Sequence, residues 1–275
     1  MSTVPIAIPG GRIETFTLEG GPGTPLLVLG GVETGLRALA GTEQLLLRRW
    51  ERRAARRRVT VLGRPLPDDP DDAERMMHPR VIADGVGRVL DELELGTMAI
   101  EAESGGGRIS LWLAVDRPDL VDRLVLAAVA SETPQGSPMA RRMGRWIELG
   151  ESGDWGTFFG DMAQLMKAGG EAEAGSFGAA ARLQPRPATP ERFLGELRAT
   201  LDPTSFVTDR LAEIAAPALI LAGELDQVVP VASTRLVADR LPGARLLVDP
   251  ECGHTIRSSF RDYDAIVESF LGEGD

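Results

Sequence analysis

Six short runs rich in apolar residues punctuate the chain, at 26–29, 59–62, 98–100, 124–129, 218–222 and 245–248. Runs this short, with little polar alternation, suit strands buried on both faces, as in a parallel sheet. Longer stretches with apolar residues at helical spacing lie between them. These predict helices at 36–58, 81–95, 231–241 and 261–271, and a further one through 109–115 that stops before Pro118. Alternating strands and helices imply an α/β fold, a mostly parallel sheet with helices on both faces. Within the first helical stretch, Leu46, Leu47, Trp50 and Ala54 form the apolar stripe. Arg48, Arg49, Arg52, Arg53, Arg56, Arg57 and Arg58 then read as its solvated face.

The rhythm breaks between 132 and 206. This stretch has no convincing strand but holds seven of the chain's 13 aromatic residues, among them Trp146, Trp155, Phe158, Phe159 and Phe177. Four methionines accompany them, which is enough apolar material for a helical insertion with a small core of its own. Gly, Ala and Pro at 168–190 suggest a linker inside it. The predicted division is therefore a core of 1–131 and 207–275 with a helical cap at 132–206.

Composition narrows the function classes. At 275 residues the chain is one large domain or a core with an insertion. A net charge of −11 argues against nucleic acid or an anionic membrane as partner, since both require a basic surface. No apolar run approaches the length needed to span a bilayer. No basic-then-apolar leader is visible, so the expected location is the cytoplasm. One cysteine excludes a disulfide scaffold, and with His78, His254 and Cys252 as the soft ligands, a dedicated metal site is not expected. The expectation is a monomer or homodimer that binds a small molecule without metal or cofactor.

Three short segments carry chemistry. Ala102-Glu103-Ser104-Gly105-Gly106 follows the third run and opens a helix. A serine on a sharp strand-to-helix turn is pushed out of the sheet, and the turn requires small residues two positions before and after it. The helix N-terminus behind it favours developing negative charge. Asp226 lies in the loop after the fifth run and His254 in the loop after the sixth. A serine hydroxyl becomes a competent nucleophile when a histidine accepts its proton and a carboxylate holds that histidine in the right tautomer. Glu132, just after the fourth run, is the alternative acid. Gly30-Gly31 followed by Gly35 has the look of a dinucleotide loop, but Val32 stands where that fingerprint requires glycine.

The order Ser104, Asp226, His254, the segment Gly223-Glu224-Leu225-Asp226-Gln227-Val228-Val229-Pro230 and the pair Gly253-His254 together resemble the α/β-hydrolase superfamily. The resemblance extends from about 25 to 271. It implies Ser104 as nucleophile, Asp226 as acid and His254 as base. It also implies an oxyanion hole from the backbone N–H groups of Val32 and Gly105. Two departures stand out: Gly30-Gly31 replaces the family's His-Gly, and Gly63-Arg64-Pro65-Leu66-Pro67 replaces its glycine-rich segment after the second strand.

The implied activity is a serine esterase or lactonase: hydrolysis of an ester, lactone or thioester of a small to medium apolar substrate. The same groups could instead serve C–C bond hydrolysis, acyl transfer, elimination or cyclisation, or the fold could bind a ligand without turnover. Glu101, on a central strand, requires a buried partner. Glu103 reads as a supporting or surface-reaching group. His78 reads as a cap of the 81–95 helix, with a pocket-lining role as the alternative. The insertion's aromatic and Met residues, among them Trp146, Trp155, Phe158 and Phe159, are expected to form its core, with some facing Ser104.

Overall fold

The computed structural model describes residues 3–32, 50–166 and 189–273. Eight strands form one sheet: β1 (Val4–Ile8), β2 (Gly11–Leu29), β3 (Arg57–Leu62), β4 (Leu66–Pro67), β5 (Met98–Glu103), β6 (Val121–Ala127), β7 (Ala218–Gly223) and β8 (Arg245–Asp249). β2, β5, β6, β7 and β8 run parallel in that spatial order. All six expected runs are strands. β1, β3 and β4 pair with β2 antiparallel, and β1 and the first half of β2 were not anticipated. That half-strand alternates buried and half-buried positions (Gly11, Ile13 and Thr15 point inward), a weaker signal than a continuous apolar run.

The helices are α1 (Ala73–Met76), α2 (Pro79–Glu92), α3 (Gly105–Asp116), α4 (Pro138–Glu151), α5 (Trp155–Met166), α6 (Pro190–Leu201), α7 (Val231–Arg240), α8 (Ile256–Ser259) and α9 (Tyr263–Leu271). One face of the sheet packs Ile82, Val86 and Leu90 of α2, Ile109 and Leu113 of α3 and Val237 of α7. The other packs Trp50, Ile256, Val267 and Phe270. Helices on both faces satisfy the fully buried strands, as the apolar runs require.

α4, α5 and α6 fall between β6 and β7 in the chain and, with Ala130, Val228 and Val229, build a third apolar cluster, in which Phe158 is the hub. Its ring centre lies 5.9 Å from Trp146, 5.4 Å from Trp155, 5.1 Å from Phe159 and 5.3 Å from Phe193. Ser137 caps α4 by accepting from Ala140 N at 3.0 Å, with Pro138 in the first turn. The linker expected at 168–190 and Phe177 fall almost wholly outside the described residues.

The expected helix at 36–58 needs correction. Its 36–49 portion is outside the described residues; 50–54 is helical, but Arg57 already belongs to β3. The solvated-face reading fails at Arg53 and Arg57, which are 3% and 2% exposed. Arg53 is ion-paired to Glu101 at 3.2 Å and Glu268 at 2.7 Å, and Arg57 to Glu268 at 3.3 Å. Helical spacing shows which positions share a face, but it does not show that carboxylates from β5 and α9 lie against that face.

Candidate active site

β5 ends at Glu103 and the chain turns directly into α3, leaving Ser104 with φ 54° and ψ −120°. Side chains rarely adopt positive φ, and here the surrounding packing holds it in place. Ser104 N donates to Ala127 O of β6 at 2.9 Å. Gly106 is forced by contact, because a Cβ there would lie 2.4 Å from the carbonyl oxygens of Leu29 and Gly30. Ala102 is buried beneath the turn. The small residues on both sides of the serine thus let α3 start hard against the end of β2.

That contact brings the turn after β2 over the serine. A Cβ on Gly31 would lie 4.0 Å from Ser104 Oγ, and one on Gly105 would lie 3.5 Å from Val32 N. Ser104, Gly31, Val32 and Gly105 therefore meet at one place, with Val32 packed against Gly105.

Asp226 is held by the loop after β7. Its Oδ1 accepts from Val228 N and Val229 N, both at 2.8 Å. Its Oδ2 accepts from His254 Nδ1 at 2.8 Å. Both residues are buried. The loop after β7 is tied to the loop after β8 by Leu225 N donating to Cys252 O at 3.0 Å. Gly223 allows this approach, since a Cβ there would lie 2.3 Å from Cys252 O. With one carboxylate oxygen bound by two amides, the other is directed at the imidazole, leaving Nε2 for a second partner. Parallel strands place all three loops at the C-terminal edge of the sheet, where sites of open α/β sheets gather.

A cavity of about 50 Å³ opens on Ser104 and Gly105. Its apolar wall comes from Val32, Val228, Val229, Met139 and Met143. Trp146, Trp155, Phe158 and Phe159 do not line it; they pack on one another in the core of α4–α6. His78 is also outside it. It caps α2, its Nδ1 accepting from Arg80 N at 3.2 Å, as one of the two sequence readings expected. Burial lowers its pKa, partly opposed by the charge of Asp202.

Glu132 is half-buried, and its charge acts on Arg108. Among the described residues, the carboxylate bonded to His254 is that of Asp226. Arg108 is buried one turn beyond Ser104 and braces α3 against Ala130 O and Thr200 O at 3.2 and 3.0 Å. Burial brings its pKa down to about 10, against the opposing charge of Glu132. Cys252 is buried, and desolvation pushes its thiol up to about 12. Glu103 lines a separate cavity with Arg53 and Arg257.

Glu101 has the partners its position requires. Arg53 Nε donates to Oε2 at 3.2 Å, Tyr263 Oη donates to Oε1 at 2.9 Å, and Arg257 Nη2 lies 2.9 Å from Oε1. Burial alone would raise its pKa, but the charges of Arg257 and Arg53 outweigh burial and hold it below the usual range.

Two residues at the site were not expected from the sequence, although Arg64 lies in the segment that departs from the family's pattern. Arg64 Nε donates to Glu196 Oε1 at 2.8 Å, and Glu196 lines the Ser104 cavity. They are 132 positions apart and both buried. No local pattern marks such a pair.

Among the described residues, no group of three or more His, Cys, Asp or Glu is placed to hold a metal ion. None of their helices is long and apolar enough to cross a membrane.

The family described as "alpha/beta hydrolase fold" has a model that matches residues 64–256. A 2-hydroxymuconate semialdehyde hydrolase of Pseudomonas sp. (strain CF600) is 27% identical over 285 residues, covering 96% of this chain and 92% of that protein. A pimeloyl-acyl-carrier-protein methyl ester esterase of Nitrosomonas europaea is 26% identical over 178 residues, covering 60% of this chain and 67% of that protein. MGS-M2, an α/β hydrolase from a Medee basin deep-sea metagenome library, superposes with a TM-score of 0.80 at 16% identity, covering 99% of this chain and 98% of that one. A model matching well over half of the residues, on a sheet of this order with its loops gathered at one edge, places the chain in the α/β-hydrolase fold family.

Proposed function

We propose that this hydrolase acts through Ser104 on an ester, lactone or thioester carrying a small to medium apolar acyl group. The observation that carries the reading is the combination at the sheet edge. A serine held at positive φ lies beside two backbone amides, and the Asp226–His254 bond orients a base in the neighbouring loops.

The chemistry follows from those atoms. His254 Nε2 takes the Ser104 proton as Oγ bonds to the substrate carbonyl carbon. The N–H groups of Val32 and Gly105 stabilise the resulting oxyanion, about 3–4 kcal/mol for one such donor. The C–O or C–S bond of the leaving group breaks as it takes the proton back from His254. Water, deprotonated by His254, then attacks the acyl-enzyme, and Ser104 is released with its proton restored. Asp226 keeps the imidazole in the working tautomer and stabilises its charged form. Met139 and Met143 supply the apolar wall, and we take 132–206 as a cap over the site.

A second reading, C–C bond hydrolysis by the same groups, is favoured by the full-length similarity to the 2-hydroxymuconate semialdehyde hydrolase.

A fluorophosphonate tests the nucleophile without knowledge of the substrate. One adduct per chain, mapped to Ser104 by mass spectrometry and lost in Ser104→Ala and His254→Ala, is the expected result. A folded wild-type protein that is never labelled on Ser104 would overturn the acyl-enzyme reading. Chromogenic esters and thioesters, set beside 2-hydroxymuconate semialdehyde, then separate the two reactions by product.

A further inference from the structure

Arg64 lies just after β3, in the segment that departs from the family's glycine-rich pattern. Its guanidinium is buried and bonded in three directions. Nη2 donates to Gly30 O at 2.9 Å and to Gly31 O at 3.0 Å, while Nε donates to Glu196 Oε1 at 2.8 Å. The first two acceptors belong to the turn over Ser104. The third belongs to α6, between β6 and β7.

The Gly31 carbonyl and the Val32 N–H are the two ends of one peptide unit. A trans peptide is planar, and its C=O and N–H point in opposite directions. A donor fixed on the Gly31 oxygen therefore turns the Val32 N–H away from Arg64. The Val32 nitrogen lies 3.5 Å from where a Cβ of Gly105 would be. Gly30 and Gly31 give this turn little intrinsic stiffness, because glycine occupies both signs of φ. Were that peptide to rotate by half a turn, an oxygen would replace the donor beside Ser104.

Charge matters as well. Glu196 Oε1 lies 3.2 Å from where a Cβ of Gly105 would be, so a carboxylate borders the place where the oxyanion forms. The buried Arg64 cation balances it. Without Arg64 the site would lose a cation facing the Glu196 carboxylate as well as its peptide anchor.

We propose that Arg64 is a positioning residue that holds the Gly31–Val32 peptide with its N–H turned toward the oxyanion, and that Glu196 sets Arg64 from α6. Assembly of the hole then depends on α6 being seated on the core. The inference rests on the acyl-enzyme reading above.

The test measures the rate of fluorophosphonate labelling, together with kcat and KM on a short chromogenic ester, for wild type, Arg64→Lys, Arg64→Met, Glu196→Gln and Arg64→Met/Glu196→Met. Rates are normalised to folded protein by thermal melting. Arg64→Met is expected to lose about 10²–10³-fold in kcat and in labelling rate, the loss typical of one oxyanion donor, with KM changed less than about threefold. Arg64→Lys, a point charge that cannot span three acceptors, should recover part of it. Glu196→Gln keeps an acceptor for Arg64 Nε and should stay within about tenfold of wild type. The double variant should exceed Arg64→Met, because the unbalanced carboxylate is gone. A folded Arg64→Met with kcat and labelling near wild type would overturn the inference, as would a loss confined to KM or to melting temperature. If Arg64→Met does not fold, Arg64→Lys decides in the same way: a wild-type kcat rejects the clamp. A wild-type protein with no Ser104 adduct and no turnover would sink the acyl-enzyme reading itself, and the clamp with it.

Discussion

Ser104, Asp226 and His254 are legible as single residues because each obeys a local rule. A small-x-Ser-x-Gly turn must follow a strand and open a helix, and it does so here at φ 54°. Asp226 is more than a turn residue bonding its own backbone: it divides its oxygens between the Val228 and Val229 amides and His254. This division makes a sharp prediction. Asp226→Asn keeps an oxygen for the two amides, so the loop should hold and the melting temperature should change little. The amide nitrogen facing His254 would demand the wrong imidazole tautomer, and kcat should fall about 10⁴-fold. Steady-state kinetics beside a thermal melt check both halves. Arg64 and Glu196, by contrast, are ordinary residue types, one in a segment marked only as a departure from the family's pattern and the other on an unmarked helix. They acquire a role only when β3 and α6 bury them together.

At the level of elements, periodicity located β3, β5 to β8, α2, α3 and α7 but gave 132–206 only as a helical insertion, and it could not say which neighbour an apolar face would meet. α4 carries Met139, Met143 and Trp146 on its buried face. Met139 and Met143 reach the Ser104 cavity, while Trp146 packs beside Phe158. The sequence expectation that some of the insertion's aromatic and Met residues would face the serine could not separate the two groups, because both destinations are apolar. Met143→Ala should therefore open the cavity directly. The ratio of kcat/KM for a butyrate ester over an acetate ester should rise about tenfold, at about 0.8 kcal/mol per additional methylene. An unchanged ratio would mean that the acyl group lies elsewhere. The same ambiguity misled the arginine-rich stretch. Arg53 and Arg57 follow a surface-like pattern, but α9 brings Glu268 against them.

Across the whole molecule, Glu101 ties distant parts of the chain together. It joins β5 to Arg53, to Arg257 of α8 and to Tyr263 of α9. Its carboxyl is held below the usual range, so the unfolded chain binds that proton more tightly than the folded one. The stability it contributes is complete above the unfolded value near ~4.3 and is lost as pH falls through the lower folded value. Glu101→Gln leaves Arg257 buried beside a neutral partner, and about 3–5 kcal/mol of stability should go at neutral pH. Urea midpoints measured from pH 8 down to 3 should show a constant gap between variant and wild type that begins to narrow only below about pH 4. The sequence by itself determined the alternation of strands and helices, the parallel part of the sheet and the order of Ser104, Asp226 and His254 in the loops after its strands, because these follow from local periodicity and from chemistry within a few residues. Tertiary structure alone decided what lines the cavity, which arginines are buried and how the turn over Ser104 is clamped. Those depend on contacts between segments far apart in the chain, where the free energy of pairing a buried charge or filling a void comes from the partner and leaves no trace in the local pattern.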